Sequence, residues 1–220
     1  MCKIIGMKLK KTFGGKISFY GIGGAKLDPE VENFLLKANF PYAIGYGLTE
    51  TSPLLGYAMN GWRAVGSFGY PVYNVKLKLH NMNPETGEGE VVAKGPNVML
   101  GYYNNPEATA EVFDKDGFFH TGDYGKLDEE GWIYITGRKK NLIILSNGKN
   151  VYPEEIEAEL QKVEGVTEVV VYAGESPVQK DKITIVAEIF PDAELLAHKG
   201  ITDIQKHFED QVKMLNAKMP

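Results

Sequence analysis

Residues 16–53 read KISFYGIGGAKLDPEVENFLLKANFPYAIGYGLTETSP, and this stretch decides the fold. KISFYGI runs toward apolar and breaks at Gly23-Gly24, which predicts a strand entering a glycine turn. Asp28 then stands where an N-cap belongs and Pro29 at the first helical position. Val31, Phe34 and Leu35 follow at helical spacing, and Ala38 closes the stripe. YAIGYG resumes as a strand and ends in a second glycine-bearing loop. Strand, helix and strand at this spacing predict one βαβ unit of a parallel sheet.

From Gly66 the texture changes. KLKLHNMNPETGEGEVVAKG (76–95) predicts two alternating strands around a Pro/Gly/Asn turn, and FFHTGDYGKLDEEGWIYITG (118–137) predicts a second pair around Glu130-Gly131. Short strands with frequent turns indicate an antiparallel sheet or small barrel. NLIILSNGKNVYP (141–153) reads as another hairpin. After it come a helix in PEEIEAELQKV, strands in TEVVVYAGE and DKITIVAEIF, and a closing helix in TDIQKHFEDQVKML. The expected architecture is α/β: a partial βαβ unit over 1–60, an antiparallel β subdomain over 61–139, and a small α+β domain over 140–220.

The 220 residues are 43% hydrophobic, enough for a packed core. Lys+Arg is 24 against Asp+Glu 29, a net charge of −5, which argues against a nucleic-acid binder. The one cysteine, Cys2, excludes a disulfide framework and a cysteine zinc site, and points to a reduced, cytoplasmic setting. No apolar run approaches the ~18–20 residues of a membrane span. MCKIIGMKLKK carries no small-residue cleavage site, which reads against a signal peptide.

Three stretches could carry chemistry. In GYGLTETSP (45–53), Gly45 and Gly47 let the backbone approach a ligand, Tyr46 offers a ring to stack on a base, and Thr49 offers a hydroxyl to a phosphate oxygen. Glu50 suits a hard cation such as Mg²⁺. The alternative is a plain strand-to-loop turn. In HTGDYG (120–125), Asp123 is read as sitting in a glycine-flanked turn, where its carboxylate either accepts a ribose diol or bonds its own backbone. His120, beside two phenylalanines, reads as structural. In GRKKN (137–141), Arg138 presents a planar fork to ribose or phosphate oxygens, or the run is a solvated basic turn. SNGK (146–149) is a hairpin turn by its chemistry alone.

Taken in order, YGLTE (46–50), GEVVAKGPNVMLGYYNNPEAT (89–109), TGD (121–123), GR (137–138) and NGKNVYPEEIE (147–157) resemble the adenylate-forming superfamily of acyl-CoA synthetases, luciferase and adenylation domains. GYGLTETSP, GSFGYP (66–71) and LSNGKNVYPEEIE look most like long-chain fatty-acid–CoA ligases. The resemblance implies ATP/AMP, Mg²⁺ and coenzyme A as cofactors and a fatty acid as substrate. It places Gly23, Gly24 and Ala25 at the adenine and acyl pocket, Tyr46 on adenine with Gly47 beside it, and Thr49 on the AMP phosphate. Glu50 falls on Mg²⁺, and Asp123 falls on the ribose hydroxyls with Arg138 alongside. Lys140 falls at the hinge of a small mobile domain, and Ser146, Asn147, Gly148 and Lys149 along the pantetheine tunnel. Other acid–thiol ligases (aryl, short-chain or amino acid) and a non-catalytic nucleotide-binding module remain open readings.

The chain also departs from the pattern. The family's Ser/Thr/Gly-rich phosphate loop has no counterpart here, since GIGGAK (21–26) is not that loop, and neither Lys213 nor Lys218 matches its C-terminal catalytic lysine. The expectation is the C-terminal portion of such an enzyme, with a truncated last domain, no useful adenylation alone and a tendency to self-associate. Peripheral membrane contact of a parent protein is left open.

Overall fold

The polar and apolar punctuation of residues 16–53 sets the first sheet. In a computed structural model, which describes residues 2–59, 65–145, 149–175 and 183–217, the chain divides into two compact units, Met1–Thr136 and Gly137–Pro220. Helix α1 (Cys2–Thr12) comes first, and its last turn places Lys10 and Lys11 at the negative end of the helix dipole. Gly6 is its buried residue, because any Cβ there would stand 2.0 Å from the Ala38 carbonyl oxygen.

Strand β1 (Tyr20–Ile22) and strand β2 (Tyr42–Gly47) pair in parallel, joined by helix α2 (Pro29–Lys37), as the spacing predicts. Asp28 Oδ1 accepts from the backbone N–H of Glu30 and Val31, a cap worth about 1 kcal/mol. The sequence did not announce α1 or the continuation of the sheet. Strand β3 (Leu54–Met59) turns back antiparallel on β2, and β4 (Tyr70–Pro71) pairs with β3, so the sheet is mixed in the order β1-β2-β3-β4.

The buried face of α2 also differs from the apolar stripe. Leu35 and Ala38 are inside, but Val31 and Phe34 are exposed, and Glu32 is completely buried. The physical reason is polar. Glu32 Oε1 accepts from the Tyr42 hydroxyl at 3.2 Å and Oε2 from the Gly66 N–H at 2.8 Å. A carboxylate with such partners can be buried where an unpaired one could not. It ties α2 to β2 and to the Gly66 turn.

Strands β5 (Lys76–His80), β6 (Gly89–Lys94), β7 (Phe119–Leu127) and β8 (Ile133–Arg138) form the second sheet in chain order, with helix α3 (Pro106–Val112) between β6 and β7. The β5/β6 and β6/β7 pairs are antiparallel, as expected. One core cluster joins the sheets: Leu35 of α2, Phe40 before β2, and Ile44 and Leu55 of the first sheet cluster with Val91 and Ala93 of the second.

In the second unit, the two-residue strands β9 (Ile143–Ile144) and β10 (Asn150–Val151) make the expected hairpin. Helix α4 (Pro153–Leu160) packs on strand β11 (Val166–Glu175), which forms a long antiparallel pair with β12 (Ile183–Pro191). Helices α5 (Ala193–His198) and α6 (Ile204–Asn216) follow, burying Leu196 and Phe208. Among the described residues no helix is long and apolar enough to cross a membrane.

Burial pushes the Tyr42 phenol up from 10.0 to about 12. The folded state therefore holds this proton more tightly than the unfolded chain does. Its contribution to stability is complete below pH 10 and is lost as the pH rises through about 12. Glu32→Ala removes the buried carboxylate that accepts from the Tyr42 hydroxyl and the Gly66 N–H, and should cost about 2–3 kcal/mol. Urea denaturation measures the cost, and an unchanged midpoint would remove Glu32 from this role.

Candidate functional site

Parallel pairing in register brings two glycine loops side by side. Ile22 stands opposite Ile44, so the Gly23-Gly24 turn leaves β1 next to the Gly45-Tyr46-Gly47 end of β2. A Cβ on Gly23 would lie 3.4 Å from the Gly45 carbonyl oxygen. Gly23, Gly24 and Ala25 are exposed, and Gly24 has φ +84°. Carboxyl ends of parallel strands are where α/β sheets open crevices for ligands.

The second contribution comes from β7. Alternation along this strand turns Phe119, Thr121 and Asp123 inward, each 5% exposed or less. Asp123 is therefore not in a turn, as the flanking glycines suggested. It sits within a nine-residue strand at a break in register. Glu90 pairs with Tyr124 and Val92 with His120, so β7 carries two extra residues where β6 advances normally. Gly122, with φ +72°, makes this bulge. The Thr121 hydroxyl donates to the Val91 carbonyl at 2.7 Å and accepts from the Asp123 N–H at 3.1 Å, which repairs the interrupted ladder.

The bulge aims Asp123 at β2. The Tyr46 hydroxyl donates to Asp123 Oδ2 at 2.8 Å across 77 residues of sequence. The Tyr46 ring packs on Phe68, with centroids 5.5 Å apart, and is 7% exposed. Tyr46, Asp123 and the 23–25 loop thus belong to one locality. His120 faces elsewhere: its Nδ1 lies 3.0 Å from the buried Glu90 carboxylate, and its ring stands edge-on to His80.

Beyond β2 the chain makes a single 3₁₀ turn over Thr49–Thr51. Thr49 is exposed and Glu50 half-buried. The buried hydroxyl in this turn is that of Thr51, a residue the sequence reading passed over. It accepts from the Leu48 N–H at 3.0 Å and lies 2.6 Å from the Pro53 carbonyl. Ser52 closes the turn in the left-handed region, with φ 56°. Gly47 has no alternative, because a Cβ there would meet the Pro53 carbonyl oxygen at 1.7 Å.

Glu50 Oε1 accepts from the Tyr102 hydroxyl at 3.1 Å, and its other oxygen has no hydrogen-bond partner among the described residues. Burial, then the hydrogen bond and the charge of Glu50, push the Tyr102 phenol above its ordinary value. No group of three or more His, Cys, Asp or Glu among the described residues is placed to hold a metal by itself. A cation at Glu50 would therefore draw its other ligands from phosphate and water, which is how Mg²⁺ is commonly held.

The remaining predicted residues lie in the second unit. Arg138, Lys139 and Lys140 are exposed, and Lys139–Asn141 forms a short 3₁₀ turn. Gly137 allows close packing there, since a Cβ would meet the Tyr152 ring at 2.3 Å. This contact joins the GRKKN and NVYPEE motifs. Ser146, Asn147 and Gly148 lie outside the described residues, and Lys149 is exposed.

Residues 5–103 match the family described as AMP-binding enzyme. The chain is 47% identical over 147 residues to a probable 4-coumarate–CoA ligase 2 of Dictyostelium discoideum, covering 62% of this chain and 26% of that protein. It is 37% identical over 201 residues to long-chain-fatty-acid–CoA ligase 1 of Cavia porcellus, covering 89% of this chain and 28% of that protein. Among solved structures it resembles o-succinylbenzoate coenzyme A synthetase of Bacillus subtilis in complex with ATP and magnesium ion. That likeness has a TM-score of 0.72 and 27% identity, over 87% of this chain and 42% of that one. The chain thus spans less than a third of the length of these two curated relatives.

Gly47→Ala should force the Pro53 carbonyl away and lower stability by about 2–3 kcal/mol. Exposed Gly24→Ala, strained only by its positive φ, should cost about 1 kcal/mol. Paired thermal melts test the ordering, and equal losses would contradict it.

Proposed function

We propose, on the premise that residues 5–103 belong to the AMP-binding enzymes, that this chain carries part of the nucleotide site of an ATP-dependent acid–CoA ligase. In this reading the substrate is a long-chain fatty acid. The carboxylate attacks the α-phosphorus of ATP, forming an acyl–O–P bond as the bond to pyrophosphate breaks. The thiol of coenzyme A then attacks the acyl carbon, and AMP leaves.

The observation that carries the reading is the 2.8 Å bond between Tyr46 and Asp123. It joins YGLTE and TGD, two motifs far apart in the chain, at the carboxyl end of a parallel strand. Asp123 receives the ribose hydroxyls, to which a carboxylate can only accept. Tyr46 supplies the aromatic surface beside the base, and the glycine loops over 23–25 and 45–47 admit the nucleotide to the backbone. Thr49 touches the phosphate. Glu50 fits a Mg²⁺ ion, which when bound neutralises phosphate charge as it develops.

In the second unit, Arg138, Lys140 and Lys149 take their proposed nucleotide, hinge and coenzyme A roles from the motif resemblance alone, and Ser146, Asn147 and Gly148 of the coenzyme A motif lie outside the described residues. The fatty-acid reading draws support from the relative with the longer coverage, 89% of this chain. An aryl-acid substrate is the second reading, supported by the relative of higher identity, 47%.

Calorimetric titration of AMP into the chain tests the site. Binding by the unmodified protein with at least about tenfold loss in Asp123→Ala is expected, since a bond to a charged group is worth ~1.5–3 kcal/mol. Equal binding by both proteins, or none by either, would contradict a ribose site at Asp123 in this chain.

A further inference from the structure

The segment 97–109, NVMLGYYNNPEAT, is part of the resemblance but has no task in the site described above. Its geometry supplies one. Three tethers run from it to the turn that carries Glu50. The Met99 N–H donates to the Glu50 carbonyl at 2.8 Å. Asn97 Nδ2 donates to the carbonyls of Thr51 at 2.8 Å and Leu54 at 2.7 Å. The Tyr102 hydroxyl reaches the Glu50 carboxylate itself at 3.1 Å.

Tyr102 is fixed in turn from behind. Its N–H donates to the Thr109 hydroxyl at 2.9 Å, and that hydroxyl donates to the Asn105 carbonyl at 2.8 Å. Asn105 caps α3 by accepting from the Ala108 N–H at 3.0 Å. Gly101 is required, because a Cβ there would stand 2.6 Å from the Thr109 side chain. The Gly-Tyr, Asn-Pro and Thr of this motif are therefore parts of one device, a capped short helix that presents a tyrosine hydroxyl.

We infer that Tyr102 is a positioning residue: it occupies one oxygen of the Glu50 carboxylate and turns the other toward a divalent cation held on a nucleotide phosphate. The inference rests on the proposed cation role of Glu50. Its physical basis is that hydrogen bonds to a ligating carboxylate set its orientation, and losing such a partner commonly weakens metal binding by about 10–100-fold. Tyr102 touches neither the cation nor the nucleotide. It acts through Glu50.

The probe is Mn²⁺, titrated with ATP present into the ¹⁵N-labelled chain and its variants. Paramagnetic broadening of the Thr49, Glu50 and Thr51 amide signals gives an affinity, and metal-free AMP binding is measured beside it. Tyr102→Phe should bind Mn²⁺ about tenfold more weakly while keeping its metal-free AMP affinity and its Met99 amide protection. Glu50→Gln should lose the metal effect, and the double variant should be no worse than Glu50→Gln alone.

Wild-type Mn²⁺ affinity in Tyr102→Phe, with the loss confined to Glu50→Gln, overturns the inference and leaves the proposed function standing. An equal fall with and without metal overturns it as well, since that is the mark of a general structural role. Absence of broadening at Thr49–Thr51 in the unmodified chain, or its persistence in Glu50→Gln, overturns the cation role and the inference together. If Tyr102→Phe fails to fold, Thr109→Val decides. It removes the support behind Tyr102 and should weaken Mn²⁺ selectively, whereas unchanged affinity overturns the inference.

Discussion

A carboxylate that is 3% exposed must be met by donors if it is to stay charged, and Asp123 is met from another sheet by the Tyr46 hydroxyl. Much of the first unit is arranged around that bond. The β7 bulge exists to aim Asp123, with Gly122 supplying the backbone conformation and Thr121 closing the gap in the ladder. On the other side, Tyr46 is held by its ring packing on Phe68 and by the parallel register of β1 and β2. Two sheets that share a core could still slide at their edges. A directed hydrogen bond between a strand end and a bulge fixes the relation at one point, and that point lies beside the exposed glycine loop of 23–25.

The turn after β2 follows a similar logic with different materials. Gly47 is dictated by the Pro53 carbonyl, and Thr51 satisfies the backbone that the 3₁₀ turn leaves over. These are local devices. The segment 97–102 adds the non-local ones, holding the turn by backbone through Asn97 and Met99 and by side chain through Tyr102. Rigid support of this kind is what a site needs when a single carboxylate must keep one orientation.

How legible this was in the sequence varied with how local the cause was. The βαβ unit was readable because Asp28 and Pro29 act within one helical turn, and the hairpins were readable because alternation and turn residues are also local. The inward turn of Glu32 was not, since its partners Tyr42 and Gly66 are fixed only by the packed sheet. Strand β3 was masked by the loop-like texture of the residues before it, and its pairing depends on β2 already being in place. TGD pointed to a special backbone at Asp123. A bulge and a turn, however, share the same glycine signal, and only the register with β6 separates them. The candidate residues were named from their side-chain chemistry and motif order. The meeting of Tyr46 with Asp123, and the parts played by Asn97 and Tyr102, came from contacts between distant segments, whereas the Thr51 hydroxyl bonds its neighbours Leu48 and Pro53.

The most direct test of this account is to map AMP onto the ¹⁵N-labelled chain by amide chemical shifts. The account predicts that the largest shifts fall on residues 23–25, 45–50 and 121–124, and that Tyr46→Phe shrinks those at 121–124 by loosening Asp123. Shifts centred elsewhere, or a response at 121–124 indifferent to the Tyr46 hydroxyl, would contradict the claim that these segments form one site.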